Sequence, residues 1–338
     1  NIYCEQPYTS PNGKRIAFVR ITGTPGWDGK SQVFIADLER IRIAPIPGAH
    51  NGSNSAWGEW FHYYDEARNL LAFSLETGDH KVVLSRLPEA FGLNSISPDQ
   101  HYAIGRMTLP GPTIGIGRLD LRTGAHQVIF EHPEIANPHL QFNPIHGRDI
   151  MVQHNRGCLI ERDGSMSKAA GPEGTTLFAI DRDGGNRRQI PVGQPWTEGA
   201  TGHECWVADT GRVAYTAHWN WQTGALVGRW REGNLFSATP GDAEPTPFIA
   251  PEHRFNHLCI SRCGRYFLAD SYGRGIPGPA ALVVGCFASG KYATLIDDCW
   301  ASCGGAQFTH PHAYFTADNQ RIVWNGDPRG IPHIFAAK

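Results

Sequence analysis

The chain has 338 residues, with 30 Lys and Arg against 32 Asp and Glu and a net charge of -2, a balance that excludes a basic nucleic-acid footprint and a polyacidic tail. No apolar run approaches the ~20 residues a membrane helix needs, and the densest, "ALVVGCF" at 281–287, has the length of one buried strand. With 39 Gly, 24 Pro and only 18% charged residues, the composition favours many short strands joined by turns over a bundle of helices.

Taken from the start, "NIYCEQPYTS" (1–10) lacks a basic stretch leading into an apolar one, so no secretory leader is expected there. A small turn cluster followed by an alternating apolar strand then recurs along the chain. The copies are "SPNGKRIAFVR" (10–20), "YDEARNLLAFSL" (64–75), "SPDQHYAIGRM" (97–107), "NPIHGRDIMVQH" (143–154), "ADTGRVAYTAH" (208–218), "SRCGRYFLADS" (261–271) and "TADNQRIVWNG" (316–326). Most are followed by a second strand ending in a polar turn, as in "LFAIDRDGGNRRQI", which reads as strand, Gly-bearing hairpin and strand. No stretch carries a helical period; "RLPEAFGL" (86–93) is at most a short insertion. Seven copies at roughly fifty-residue spacing predict an all-β, seven-bladed β-propeller forming one domain over 1–338.

The innermost strand of each blade should precede its turn, so equal offsets from the turn mark equal heights around the central channel. Counting back four residues gives Gln6, His139, His203, His257 and His312 in the first, fourth, fifth, sixth and seventh blades. His310 and Gln307 lie beside the last of these, and strand alternation would turn His310 and His312 to one side. Imidazoles with a carboxamide oxygen suit a first-row dication such as Mn²⁺, Fe²⁺, Ni²⁺ or Zn²⁺. A site without carboxylate or thiolate ligands leaves the metal's charge available to a substrate anion, as a Lewis acid requires. The competing reading is that these histidines hydrogen-bond neighbouring blades.

Eight cysteines, at 4, 158, 205, 259, 263, 286, 299 and 303, could form four disulfides. Several interrupt apolar strand patterns, and none shows the spacing of a zinc knuckle. The expectation is reduced thiols in a cytoplasmic protein. "HWNWQTG" (218–224) offers Trp219 and Trp221 either as a sugar platform or as packing between blades. No G-x-S-x-G elbow is present, which argues against a propeller-linked peptidase.

The runs "QFTHPHAYFTAD", "NHLCISRCG" and "GHECW", with the opening "NIYCEQPYTSPNGK", resemble the oligogalacturonate lyases, which are seven-bladed propeller polysaccharide lyases. The resemblance is loose between these motifs but extends over most of the chain. It implies a Mn²⁺ held by His257, Gln307, His310 and His312, with His203 as the Brønsted base. The implied reaction is β-elimination on a uronate-containing oligosaccharide. His139, at the common register, and His154, retained from a family segment, would then touch substrate. The chain departs from the family at Thr176, where an Arg is expected, and in "QHNRG" (153–157), where Arg156 could restore the missing charge. A different metal-dependent propeller enzyme, hydrolase or isomerase, would share the same cage. A non-catalytic TolB-like binding propeller would share the turns alone.

Overall fold

The computed structural model describes residues 2–5, 7–22, 30–50, 52–111, 113–162, 164–272, 279–300, 309–328 and 330–338. Within them every paired strand is antiparallel, and no helix occurs. The strands fall into seven consecutive three- or four-stranded antiparallel units, the blades of a β-propeller; the fourth and fifth are joined by a single pair, Thr175 with Ala200, and a hairpin of Leu159–Ile160 and Met166–Lys168 stands outside the blades.

The first blade pairs Arg15–Thr22, Lys30–Asp37 and Arg42–Pro45, with a bridge from Thr9 to Ile16 on its inner side. The second runs Gly52–Ser53, Trp60–Tyr64, Leu70–Ser74 and His80–Leu84. The third runs Phe91–Ile96, Tyr102–Thr108, Ile114–Asp120 and His126–His132. The fourth comprises Gln141–Phe142, Asp149–Asn155, Thr175–Asp181 and Arg188–Ile190, and the fifth Ala200–Trp206, Val213–Ala217, Leu235–Ala238 and Thr246–Phe248. The sixth holds Phe255–Ile260, Tyr266–Ser271, Ala281–Cys286 and Lys291–Ile296, and the seventh Tyr314–Phe315, Ile322–Gly326 and His333–Ala337.

Burial explains the alternation seen in the sequence. Inner strands such as Phe255–Ile260 are buried throughout, whereas the outer Arg42–Pro45 is exposed throughout. Apolar side chains from one blade pack on the next. Ile104, Ile114 and Ile116 of the third blade meet Phe142, Ile150 and Phe178 of the fourth. The same kind of cluster joins the sixth, seventh and first blades, where Leu268, Tyr314 and Ile16 share one core. The ring is thus closed by packing.

One repeat falls differently from the sequence reading. In six blades the turn after the inner strand closes at Ser10, Ser97, Asn143, Val207, Ser261 or Thr316. In the second blade that turn is Ser55–Gly58, closed by Gly58 N–H donating to the Ser55 carbonyl at 2.8 Å. The "YDEARN" turn closes at Asp65, one strand further out. Among the described residues seven cysteines are free, five of them buried.

Candidate active site

Residues 2–5 run along the axis. The Ile2 N–H donates to Asn325 Oδ1 of the seventh blade at 3.1 Å, and the Tyr3 ring lies 4.8 Å from His312 and 6.5 Å from both His139 and His203. A segment that touches the fourth, fifth and seventh blades together must lie at their common centre.

Around it stand the four register histidines. The His203 and His257 rings are 4.0 Å apart, those of His257 and His312 4.1 Å, and His310 lies 5.0 Å from His257. His139 joins through Glu5, whose Oε2 is 3.5 Å from His139 Nδ1 while Oε1 is 3.3 Å from His203 Nδ1. Every one of the four sits at a distortion of its inner strand. Opposite His257 the ladder slips, so that Asn256 and His257 together face Asp270, and a similar slip between Ala200 and Glu204 spans His203. Such bulges re-aim side chains. His139 and His312 instead have positive φ, 43° and 45°, just ahead of Gln141–Phe142 and Tyr314–Phe315. His310 and His312 therefore lie before the strand rather than in it. A left-handed backbone residue, after Pro311, brings them together instead of strand alternation.

The donor chemistry of this group fits a divalent cation. The freed His257 N–H donates to Asp270 Oδ1 at 2.7 Å, and its Nδ1–H donates to Asp270 Oδ2 at 2.7 Å. His312 Nδ1–H donates to the Ile2 carbonyl at 3.1 Å. With both Nδ1 protons committed, each Nε2 carries a lone pair, and the two Nε2 atoms face each other at 3.0 Å. That contact is repulsive without something positive between or beside it. Two nitrogens each ~2.1 Å from one cation, at right angles, are ~3.0 Å apart, so a shared cation fits the spacing. Burial pushes His257 and His312 well below the ordinary imidazole value, and His310 is lowered for the same reason. All three are neutral, the form that ligates metal. Ligand atoms of His257, His310 and His312 lie within 4.8 Å of one another. Gln307, the fourth ligand expected from the sequence, lies outside the described residues.

Beside the trio is a buried acid–base cluster. Burial pushes Glu5 up, but His139 and then His203 outweigh it and hold Glu5 at about 2. Glu204, whose Oε1 is 3.7 Å from His139 Nδ1, is raised by burial and by Glu5 to about 8. Burial lowers His139, yet Glu5 and Glu204 carry it up to about 9. At neutral pH this is one carboxylate, one imidazolium and one carboxylic acid.

His154 and Arg156 belong to a different neighbourhood. His154 Nε2 is 3.1 Å from Glu134 Oε2, its Nδ1 is 3.4 Å from Thr176 Oγ1, and its ring meets His132 edge-on at 4.9 Å. Thr176 is the cross-strand partner of His154, and Arg156 pairs with Glu173. His132, Glu134 and His154 also bring ligand atoms within 4.8 Å. However, His132 Nδ1 accepts the Glu134 N–H at 3.1 Å, which puts the ring proton on Nε2 and makes that nitrogen a donor. This trio is a hydrogen-bonded group between the third and fourth blades. Trp219 and Trp221 stack at 4.3 Å, with Trp219 buried against Tyr272.

Glu5, Glu204 and Asp270 were not singled out by the sequence reading. All three stand inside quoted segments, "NIYCEQPYTS", "GHECW" and "SRCGRYFLADS", but nothing in the residue pattern separates them from surface carboxylates.

No family model matches the chain. An oligogalacturonate lyase of Dickeya dadantii (strain 3937) is 25% identical over 166 residues, which is 48% of this chain and 42% of that protein. The match thus spans less than half of the length of that curated relative. An oligogalacturonate lyase solved in complex with manganese superposes with a TM-score of 0.71 at 21% identity, over 99% of this chain and 89% of that one. The oligogalacturonate lyase of Vibrio parahaemolyticus gives 0.68 at 20%, again over 99% and 89%. The chain resembles the oligogalacturonate lyase family in sequence and in fold.

Proposed function

We propose that this chain is a metal-dependent lyase that cleaves uronate-containing oligosaccharides by β-elimination. The observation that carries the reading is the pair of Nε2 lone pairs, His257 and His312, held face to face at 3.0 Å beside His310. These three histidines would hold the cation, and the manganese in the similar lyase supports Mn²⁺ as the choice. When bound, the cation supplies Lewis-acid polarisation of a uronate carboxylate, which acidifies C5–H.

The chain's own residues supply the rest. His203 stands beside His257 and takes the C5 proton on Nε2, the ring nitrogen not engaged by Glu5. The electrons of the C5–H bond become the C4=C5 double bond, and the C4–O bond breaks with its electron pair on the sugar oxygen, which leaves as a hydroxyl after taking a proton from water or the one His203 has received. His139, an imidazolium on the same axis, offers a positive charge to the sugar acid. His154 and Arg156 lie apart from this group, so their substrate contact would be with a more distant sugar ring.

The experiment is the rise in ultraviolet absorbance of the conjugated 4,5-unsaturated product. It is followed on digalacturonate and a panel of glucuronate oligosaccharides, with chelator and with added Mn²⁺. Activity that disappears with chelator, returns with Mn²⁺, and drops by ~10² or more in His203→Ala is the expected outcome. A flat trace across the panel, with metal bound, would replace this reading by a hydrolase or isomerase on the same cage. No bound metal and no effect of His203→Ala beyond stability would leave a binding propeller.

A further inference from the structure

The proposed base is gripped from behind by a carboxylate more than a hundred residues away. Glu5 is buried, and its two oxygens face two histidines from neighbouring blades: Oε1 is 3.3 Å from His203 Nδ1 and Oε2 is 3.5 Å from His139 Nδ1. Gln141 Nε2 stands 3.5 Å from the same Oε2 and donates to the Glu204 carbonyl at 2.8 Å, which fixes the carboxylate from a third side. The backbone of the same segment reaches the metal trio, since the Ile2 carbonyl accepts from His312 Nδ1.

We propose that Glu5 is a positioning residue for His203, holding the ring proton on Nδ1 so that Nε2 keeps its lone pair for the reacting proton. A neutral imidazole has one N–H, and the nitrogen that faces a carboxylate is the one that carries it. Glu5 suits the task because it stays ionised: burial disfavours its charge, but His139 and then His203 together outweigh that and hold it at about 2. His139 thereby acts at one remove, as the counter-charge that lets a buried carboxylate persist. The arrangement parallels the metal side, where Asp270 fixes the tautomer of His257.

This inference rests on His203 being the base, and the test separates the two. Full-length protein with ¹⁵N-labelled histidine is loaded with Zn²⁺, and the His203 ring signals are assigned with His203→Gln. The expected spectrum shows the Nδ1–H tautomer in the wild type and a shift toward Nε2–H in Glu5→Gln. In the elimination assay Glu5→Gln should lower kcat by ~10² while KM stays within ~2-fold and metal content is unchanged. A wild-type Nε2–H signal, or a tautomer unaltered by Glu5→Gln, would overturn the proposal. The wild-type spectrum needs no variant, so a poorly folding Glu5→Gln does not remove the test. If the protein performs no elimination at all but shows the Nδ1–H signal, the positioning contact stands and the lyase reading falls.

Discussion

At His139 two buried carboxyl groups, Glu5 and Glu204, face one imidazole, and their protonation sets how stability follows pH. Folding raises His139 from 6.5 to about 9, so its contribution is complete below pH 6.5 and is lost as pH rises through 9. Glu204 is raised from 4.5 to about 8 and acts in the same direction, since its protonated form is the one the interior tolerates. Glu5 has the opposite sign: lowered from 4.5 to about 2, it contributes fully above 4.5 and is constant over the alkaline window. In chelator, the melting temperature is therefore expected to fall as pH rises from about 6.5 to about 9. His139→Gln should flatten that slope in a thermal-melt series, and an unchanged slope would show that the charge cluster does not govern it. None of this was legible in the sequence. The histidines announced themselves by recurring at one register, whereas Glu5 and Glu204 matter only because the fold denies them water.

The blades were legible because inner strands are buried on both faces and outer ones are not. The turn between the first two strands recurs with little change, and the second blade escaped only because its turn is "SAWG" rather than a polar cluster. What the repeat could not reveal is how each inner strand is bent. His203 and His257 reach the axis through bulges, while His139 and His312 do so through left-handed backbone, and residue type encodes neither choice. Strand pairing also sets strict limits elsewhere. In the third blade Gly105 lies so close to its neighbour that a Cβ would come 1.9 Å from the Gly92 carbonyl oxygen. Gly105→Ala must therefore push Phe91–Ile96 away from Tyr102–Thr108, at a cost of about 1–3 kcal/mol. Differential scanning calorimetry should show a melting temperature lower by several degrees, with the metal content of the folded protein retained. A neutral result would mean that the two strands can part without loss.

Across the whole ring, Asn325 ties the two ends of the described chain. Its Oδ1 accepts from Ile2 N–H, and its Nδ2 donates to the His310 carbonyl at 3.0 Å and to the Ile2 carbonyl at 3.4 Å. Asn325→Ala takes from the buried Ile2 N–H the acceptor it has here, at about 1–3 kcal/mol. It should also weaken metal binding, because it loosens the backbone on either side of His310 and His312. Isothermal titration with Mn²⁺ would detect this as a lower affinity, and wild-type affinity in a destabilised variant would confine Asn325 to a purely mechanical role.

The seam has a consequence for synthesis. Ile2 and Asn325 are separated by 323 positions, so their contact cannot form before the seventh blade has been made. A chain lacking the seventh blade holds His203 and His257 without His310 or His312, and its Ile2 carbonyl has no imidazole to receive. Such a fragment keeps the contacts of Glu5 with His139, His203 and Gln141, but it has no complete cage, and the Ile2 end of the axial segment is unpinned. Closure of the proposed cation cage is thus deferred until the seventh blade has been made, and binding of the cation would report that the circle has been completed.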